Sequence, residues 1–324
     1  MKIHDDILGT LGNTPMVRLD RFFPGAASLT VKLEYFNPGS SVKDRIGLAM
    51  IEAAEKTGEL QPGDTIVEPT SGNTGLGLAM AAILRGYPVV CTVTDKIPLE
   101  KITLLEAYGV EVVICPADVE PEDPSSYYKT AERIRDERGA FLLYQYYNQA
   151  NPEAHYRTTG PEIWRQTEGR ITHWVAGIGT GGTISGVARY LKEQSPDIRV
   201  IGVDPAGSVY RYFKERGELP PRDQIHPYLI DGIGEDLLPE SVWMETIDEV
   251  VTIDDRSAYE AVFELSRREA IFTGSSGGAA AVAARHVAER LPKDALVVTL
   301  FPDSGERYLS KLNNDWMGRQ GLIR

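Results

Sequence analysis

Lys43 is the first residue whose setting is unusual. In Ser40-Ser41-Val42-Lys43-Asp44-Arg45, a serine precedes a helical pattern whose apolar stripe runs Ile46, Met50, Ala53. Lys43 lies three residues before Ile46 and seven before Met50, on that same stripe. A lysine facing a core is costly unless it is paired or covalently modified. In one reading the stem packs while the ammonium reaches solvent. In the other, a desolvated amine spends its resting state as an imine. Spacing alone leaves both open.

Two glycine loops carry the next chemistry. Thr70-Ser71-Gly72-Asn73-Thr74-Gly75 follows a strand pattern at 65–68 and precedes a helical pattern at 76–84. Hydroxyl and amide donors at a helix N-terminus suit an anion such as a carboxylate; an ordinary N-cap with turn glycines is the plainer alternative. Gly177-Ile178-Gly179-Thr180-Gly181-Gly182-Thr183 sits between a strand pattern at 173–176 and a helix at 184–191, the setting of a phosphate cradle. It also contains G-x-G-x-x-G, and Asp204 ends the next strand where a ribose-binding acid would fall. A nicotinamide-dependent dehydrogenase therefore competes, and the loop by itself does not choose between a dinucleotide and an isolated phosphate.

Strand and helix patterns alternate almost throughout. Short apolar runs at 31–33, 65–68, 89–93, 112–114, 141–144, 173–176, 200–203, 250–253 and 296–300 read as buried strands. Between them, Ile46/Ala49/Met50/Ala53, Ile184/Val187/Ala188/Leu191 and Ala258/Ala261/Val262/Leu265 keep helical spacing. Such alternation predicts mainly parallel sheets with helices on both faces, and 324 residues exceed one ordinary core, so two lobes are expected. Residues 119–126 and 217–227 read as surface loops.

Composition narrows the partners. The formal net charge of −13 argues against nucleic acid or an anionic membrane, both of which call for basic patches. The start, MKIHDDILGTLG, lacks the apolar run of a secretory signal, and no segment has spanning length. Cys91 and Cys115 lie in strand-like segments and read as buried free thiols, which places the chain in the cytoplasm. His4, His155, His173, His226 and His286 show no metal-ligand spacing, so no metal is expected and they read as structural. A G-x-S-x-G elbow is absent, and Gly274-Ser275-Ser276-Gly277 reads as the start of a helix at 279–288.

Taken in order, SSVKDR, EPTSGNTG, Gln145 in YQYYNQANP, GIGTGGT, Asp231-Gly232-Ile233-Gly234 and Gly274-Ser275-Ser276-Gly277 resemble the cysteine synthase and cystathionine β-synthase family of pyridoxal-phosphate (PLP) enzymes. The likeness runs from Leu11-Gly12-Asn13-Thr14-Pro15 to Pro302-Asp303-Ser304. It implies the type II, tryptophan synthase β-like fold: two interleaved, doubly wound α/β lobes, the smaller at 36–148 and the larger at 1–35 and 149–324, in a homodimer. By the same resemblance, Lys43 would form the internal aldimine and Asn73 would meet the cofactor's 3′-oxygen. Gly179, Thr180, Gly181, Gly182 and Thr183 would cradle its phosphate, and Ser275 would face the pyridine nitrogen. Thr70, Ser71, Gly72, Asn73, Thr74 and Gln145 would bind the substrate carboxylate, with Gly232, Ile233 and Gly234 bordering the pocket.

A hydroxyl at Ser275 cannot hold the ring nitrogen protonated as a carboxylate can, so the ring is a weaker electron sink. That favours β-elimination over transamination, with Lys43 taking the α-proton and a thiol or sulfide adding to an aminoacrylate. Two positions depart from the family: Ser40 stands where glycine is frequent, and Pro98 stands where serine is. Gly202-Val203-Asp204-Pro205, Asn151-Pro152, 231–239 (DGIGEDLLP) and Asp315-Trp316-Met317 lean to the cystathionine β-synthase branch, whereas Gly305-Glu306-Arg307-Tyr308-Leu309 resembles the cysteine synthase ending. With so short a stretch after Trp316, the tandem regulatory module and haem-binding extension of some such synthases are not expected. The expected reaction is serine plus homocysteine giving cystathionine, with O-acetylserine plus sulfide giving cysteine as the alternative.

Overall fold

The computed structural model describes residues 3–322, so Met1 and Lys2 of the N-terminal stretch lie outside the described residues. The chain begins with β1 (Met16–Arg18) and β2 (Ser28–Leu33). A helical pair and its strands follow: α1 (Lys43–Thr57), β3 (Ile66–Pro69), α2 (Asn73–Arg85), β4 (Val89–Thr94), α3 (Leu99–Ala107), β5 (Glu111–Cys115), α4 (Tyr127–Arg138) and β6 (Phe141–Leu142). The remainder comprises α5 (Ala150–Arg157), α6 (Thr159–Gln166), β7 (His173–Gly177), α7 (Gly182–Gln194), β8 (Arg199–Pro205), α8 (Tyr210–Arg216), β9 (Glu249–Ile253), α9 (Asp255–Glu269), α10 (Ser275–Ala288), β10 (Leu296–Phe301) and α11 (Asn314–Arg319).

Two sheets result, one of six strands ordered β1-β2-β10-β7-β8-β9 and one of four ordered β5-β4-β3-β6. Every pairing is parallel except β1 with β2. Parallel strands covered on both faces read as unbroken apolar runs. β3 and, after Arg199, β8 are buried throughout and keep to that pattern except at Glu68 and Asp204, two buried acids near their C-terminal ends. One face of the larger sheet packs Leu29, Val31, Val203 and Val297 against α9 and the alanine run of α10. The other packs Trp174, Val200 and Val298 against α6 and α7.

In the smaller unit α1 and α2 meet backbone to backbone. A Cβ on Gly47 would come within 2.3 Å of the Gly77 carbonyl carbon, and one on Gly77 within 2.6 Å of the Lys43 carbonyl oxygen. This glycine crossing sets the start of α1, with Lys43, beside the start of α2. Cys91 and Cys115 are free and buried, on neighbouring strands β4 and β5.

Several boundaries differ from the sequence reading, and three of them bear on the site. The strand expected over 141–144 ends at Leu142, because Tyr144 turns to φ +55° and Glu68 takes its N–H (2.7 Å) and that of Gln145 (3.1 Å). The helices expected at 76–84 and 279–288 begin earlier, at Asn73 and Ser275, so both of those side chains stand in a first helical turn. Ser40 sits at φ +58°, the left-handed region in which a side chain costs about 1–2 kcal/mol, and that cost accounts for the preference for glycine there.

Candidate active site

Most of the site loops leave the C-terminal ends of parallel strands, where open α/β sheets hold ligands; the turn carrying Ser275 and Ser276 instead joins α9 to α10. Lys43 is the first residue of α1 and is half-buried. It is one of four residues, with Thr180, Gly232 and Ile233, lining both a narrow cavity of about 40 Å³ and a larger one of about 280 Å³. Burial lowers the pKa of its amine, against the opposing fields of Asp303 and Glu235. Its helix is anchored by the pairing of Ser41 with Asp303 and by the Val42 N–H bond to the Pro302 carbonyl (2.8 Å).

The narrow cavity is walled by Gly179, Thr180, Gly181 and Thr183, at the N-terminus of the 13-residue helix α7. Gly181 is left-handed (φ +84°), and a Cβ there would lie 2.2 Å from the Val242 side chain. Gly182 lines neither cavity and abuts the Asn151 amide, which itself donates to Thr180 Oγ1 (2.9 Å). The Gly232-Ile233-Gly234 turn is clasped to this loop: Gly234 N–H donates to the Ile178 carbonyl (2.7 Å), and a Cβ on Gly179 would strike the Gly232 oxygen at 2.5 Å.

His155, read from sequence as a structural histidine, lies fully buried under the loop, bonded through Nδ1 to Thr159 Oγ1 (2.9 Å) and through Nε2 to Thr183 Oγ1 (3.2 Å). Burial and then the nearby Arg45 push its pKa down to about 3. The unfolded chain therefore binds a proton below pH 6.5 that the folded protein refuses, and stability falls as pH drops from 6.5. His155→Gln, which keeps hydrogen-bonding capacity, should lose about 1.5 kcal/mol less than wild type between pH 6.5 and pH 5 in urea unfolding. Equal losses would show that His155 does not titrate this way.

The larger cavity receives Thr70, Ser71 and Gln145 from the smaller unit and Gly232, Ile233 and Gly234 from the larger. Thr70 Oγ1 accepts the Gly72 N–H (3.0 Å), and Thr74 donates to Gln145 Oε1 (2.6 Å), so Gly72 and Thr74 shape the loop from outside the cavity. Asn73 also lies outside it. Its amide donates to Asp303 Oδ2 (2.6 Å) and accepts from Arg307 (2.9 Å). Ser275 lines neither cavity; its hydroxyl accepts the Asp231 N–H (2.9 Å), while its neighbour Ser276 reaches the narrow one. Asp204, the would-be ribose acid, is buried, and one oxygen takes the Arg211 N–H (2.9 Å); it lines neither cavity.

Asp303 is a site residue that sequence reading did not single out. One oxygen accepts from Asn73 and Tyr308 (2.5 Å); the other is buried and has no partner among the described residues. Its place at the end of β10 is the available signal. Lys101, also unnoticed, is fully buried and donates to Tyr308 (3.0 Å) and to the Ser71 carbonyl (3.3 Å), bracing the 70–75 loop from behind. Among the described residues no cluster of His, Cys, Asp and Glu could hold a metal ion, and no helix is long and apolar enough to cross a membrane.

A family model described as pyridoxal-phosphate dependent enzyme matches residues 7–303. Cystathionine beta-synthase of Apis mellifera is 40% identical over all of this chain and 64% of its own length. The chain spans 58–64% of the curated relatives it matches. Among solved structures, O-ureido-L-serine synthase is 38% identical with a TM-score of 0.87, covering 95% of this chain and 94% of its own. An O-acetylserine dependent cystathionine beta-synthase from Helicobacter pylori is 37% identical with a TM-score of 0.87, covering 96% and 99%.

The residues present fit the cofactor such a family carries. A glycine cradle at a helix N-terminus offers a phosphate free N–H groups and a favourable dipole. A half-buried amine stands at the junction of that cradle with a roomier cavity rich in polar donors. With both cavities built from residues inside the matched span, the chain belongs to the family of pyridoxal-phosphate dependent enzymes, and pyridoxal phosphate is its cofactor.

Proposed function

We propose that this enzyme replaces the β-substituent of a serine-type amino acid with a thiol, and that its preferred pair is serine and homocysteine, giving cystathionine. The observation that carries the reading is the position of Lys43, which lines both the phosphate-type cradle and the larger cavity. Bound pyridoxal phosphate supplies an electron sink that loosens the bonds at Cα and Cβ of an amino acid joined to it.

The chain's own residues do the rest. The loop Gly179, Thr180, Gly181, Gly182 and Thr183 would hold the phosphate, with the positive end of the α7 dipole behind it. Thr70, Ser71 and Gln145 would bind the donor's carboxylate. Asn73, locked between Asp303 and Arg307, would fix the edge of the cofactor ring. Ser275 would meet the ring nitrogen with a hydroxyl, which leaves that nitrogen unprotonated and disfavours transamination. Lys43 would hold the cofactor at rest and carry the proton to and from Cα in turnover. The burial that lowers its pKa helps by keeping part of the population neutral and able to accept it.

The likeness to cystathionine beta-synthases, at 40–42% identity, supports an organic thiol as acceptor. The second reading, O-acetylserine as donor, is favoured by the likeness to the Helicobacter pylori enzyme, which uses that donor. Steady-state rates with each donor paired with homocysteine and with sulfide decide among these. Serine with homocysteine should show the highest kcat/KM, and negligible cystathionine formation from either donor would overturn the reading.

A further inference from the structure

Glu235 follows the Gly232-Ile233-Gly234 turn and has its backbone pinned on both sides. Its N–H donates to Ser208 Oγ (3.0 Å), and its carbonyl accepts from Val209 (3.2 Å). The half-buried side chain lines the larger cavity together with Tyr127, Tyr146 and Tyr228. Among the described residues it makes no salt bridge, and its one side-chain hydrogen bond, from Tyr128, is long at 3.5 Å. Burial and the adjacent Asp236 push its pKa up to about 8, against the pull of Tyr128 and Lys43. A carboxylate so placed is costly unless a cation comes to it.

The donor amino acid brings no free cation to this wall. Its carboxylate is served by Thr70, Ser71 and Gln145, and its amino group is engaged by the cofactor. We propose that Glu235 is a specificity-determining residue that binds the ammonium group of the second substrate, so that the acceptor is an amino-acid thiol rather than hydrosulfide or a thiol lacking an amine. The proposal rests on the β-replacement reading.

The test uses the holoenzyme with one donor and three acceptors: homocysteine, its amine-free analogue 4-mercaptobutyrate, and sulfide. Wild type should favour homocysteine over 4-mercaptobutyrate by about 10- to 100-fold in kcat/KM, the range of one charged hydrogen bond. Glu235→Gln should raise the KM for homocysteine by a similar factor while leaving the KM values for 4-mercaptobutyrate and the donor unchanged. A variant that keeps the wild-type KM for homocysteine, or that weakens both thiols equally, would overturn the proposal. If the variant fails to take up cofactor, the wild-type comparison still decides: equal use of the two thiols overturns it. Equal use alongside a donor-induced change in cofactor absorbance leaves β-replacement standing. Absence of that change would instead overturn β-replacement itself.

Discussion

Replacing Lys43 by alanine is expected to lower kcat by at least about 10²–10⁴-fold, the contribution usual for a well-placed proton carrier, while leaving the protein folded. Alanine is the best helix former, and Lys43 occupies the first turn of α1, where its side chain points to the cavities rather than into a packed core. The cradle formed by Gly179, Thr180, Gly181, Gly182 and Thr183 is untouched by the change, so the variant should still take up pyridoxal phosphate, though without a covalent hold. Turnover rate, circular dichroism and cofactor retention on a desalting column check these three points. A Lys43→Ala enzyme working within ten-fold of wild type would remove Lys43 from the chemistry.

The largest effect on stability is expected at Arg45. Its guanidinium joins α1 of the smaller unit to the larger through Glu34 (2.7 and 2.9 Å) and Glu162 (2.8 and 2.9 Å), and all three are buried. Lys32, fully buried in β2, adds a contact to Glu162 at 2.8 Å, and Thr14 donates to Glu34 at 2.6 Å. Burial by itself would favour the neutral form of Glu34, but Arg45 overcomes it and holds the carboxyl down at about 2. Arg45→Ala would leave Glu34 buried without its cation and Glu162 with Lys32 alone, and breaking such a buried pair costs about 3–5 kcal/mol. Arg45→Lys keeps the charge but loses the planar fork, so an intermediate loss is expected. Thermal melts of the three proteins test the order; an Arg45→Ala midpoint equal to wild type would show the network contributes nothing net. Because Lys43 is two residues away on the same first turn, a second consequence is weaker cofactor retention in Arg45→Ala than in Arg45→Lys.

What could be read from the sequence is what depends on near neighbours. The short apolar stretches Ile66-Val67 and Val200 to Val203 become central parallel strands because apolar side chains suit both covered faces. The glycine loops after β3 and β7 stood out because hydroxyls and glycines crowd a helix start within six or seven residues. Long-range pairing was hidden. Asp303 meets Asn73 across 230 positions, and Arg45 meets Glu162 across 117, so no local pattern announces either. Glu68 likewise ends β6 two residues early by capturing backbone N–H groups 76 and 77 positions away. Three-residue β1 carries too short a pattern to register, and it pairs with β2 through a loop of only nine residues. Glu235 was visible as a letter in DGIGEDLLP, but its exposure to the cavity follows from the clasp between Gly234 and Ile178, which only the fold supplies.

Which lysine holds the cofactor decides the chemistry. Lys32, Lys43 and Lys101 all have pKa values lowered by burial, Lys101 to about 8, so a low amine pKa does not single out one of them. Geometry does: Lys32 is committed to Glu162 and Lys101 to Tyr308, while Lys43 opens on the cavities. Borohydride treatment of the protein loaded with pyridoxal phosphate makes any reversible lysine link permanent, and peptide mapping then locates it. The label should fall on Lys43 alone; a label on Lys101 or Lys32, or none on any lysine, would contradict the account.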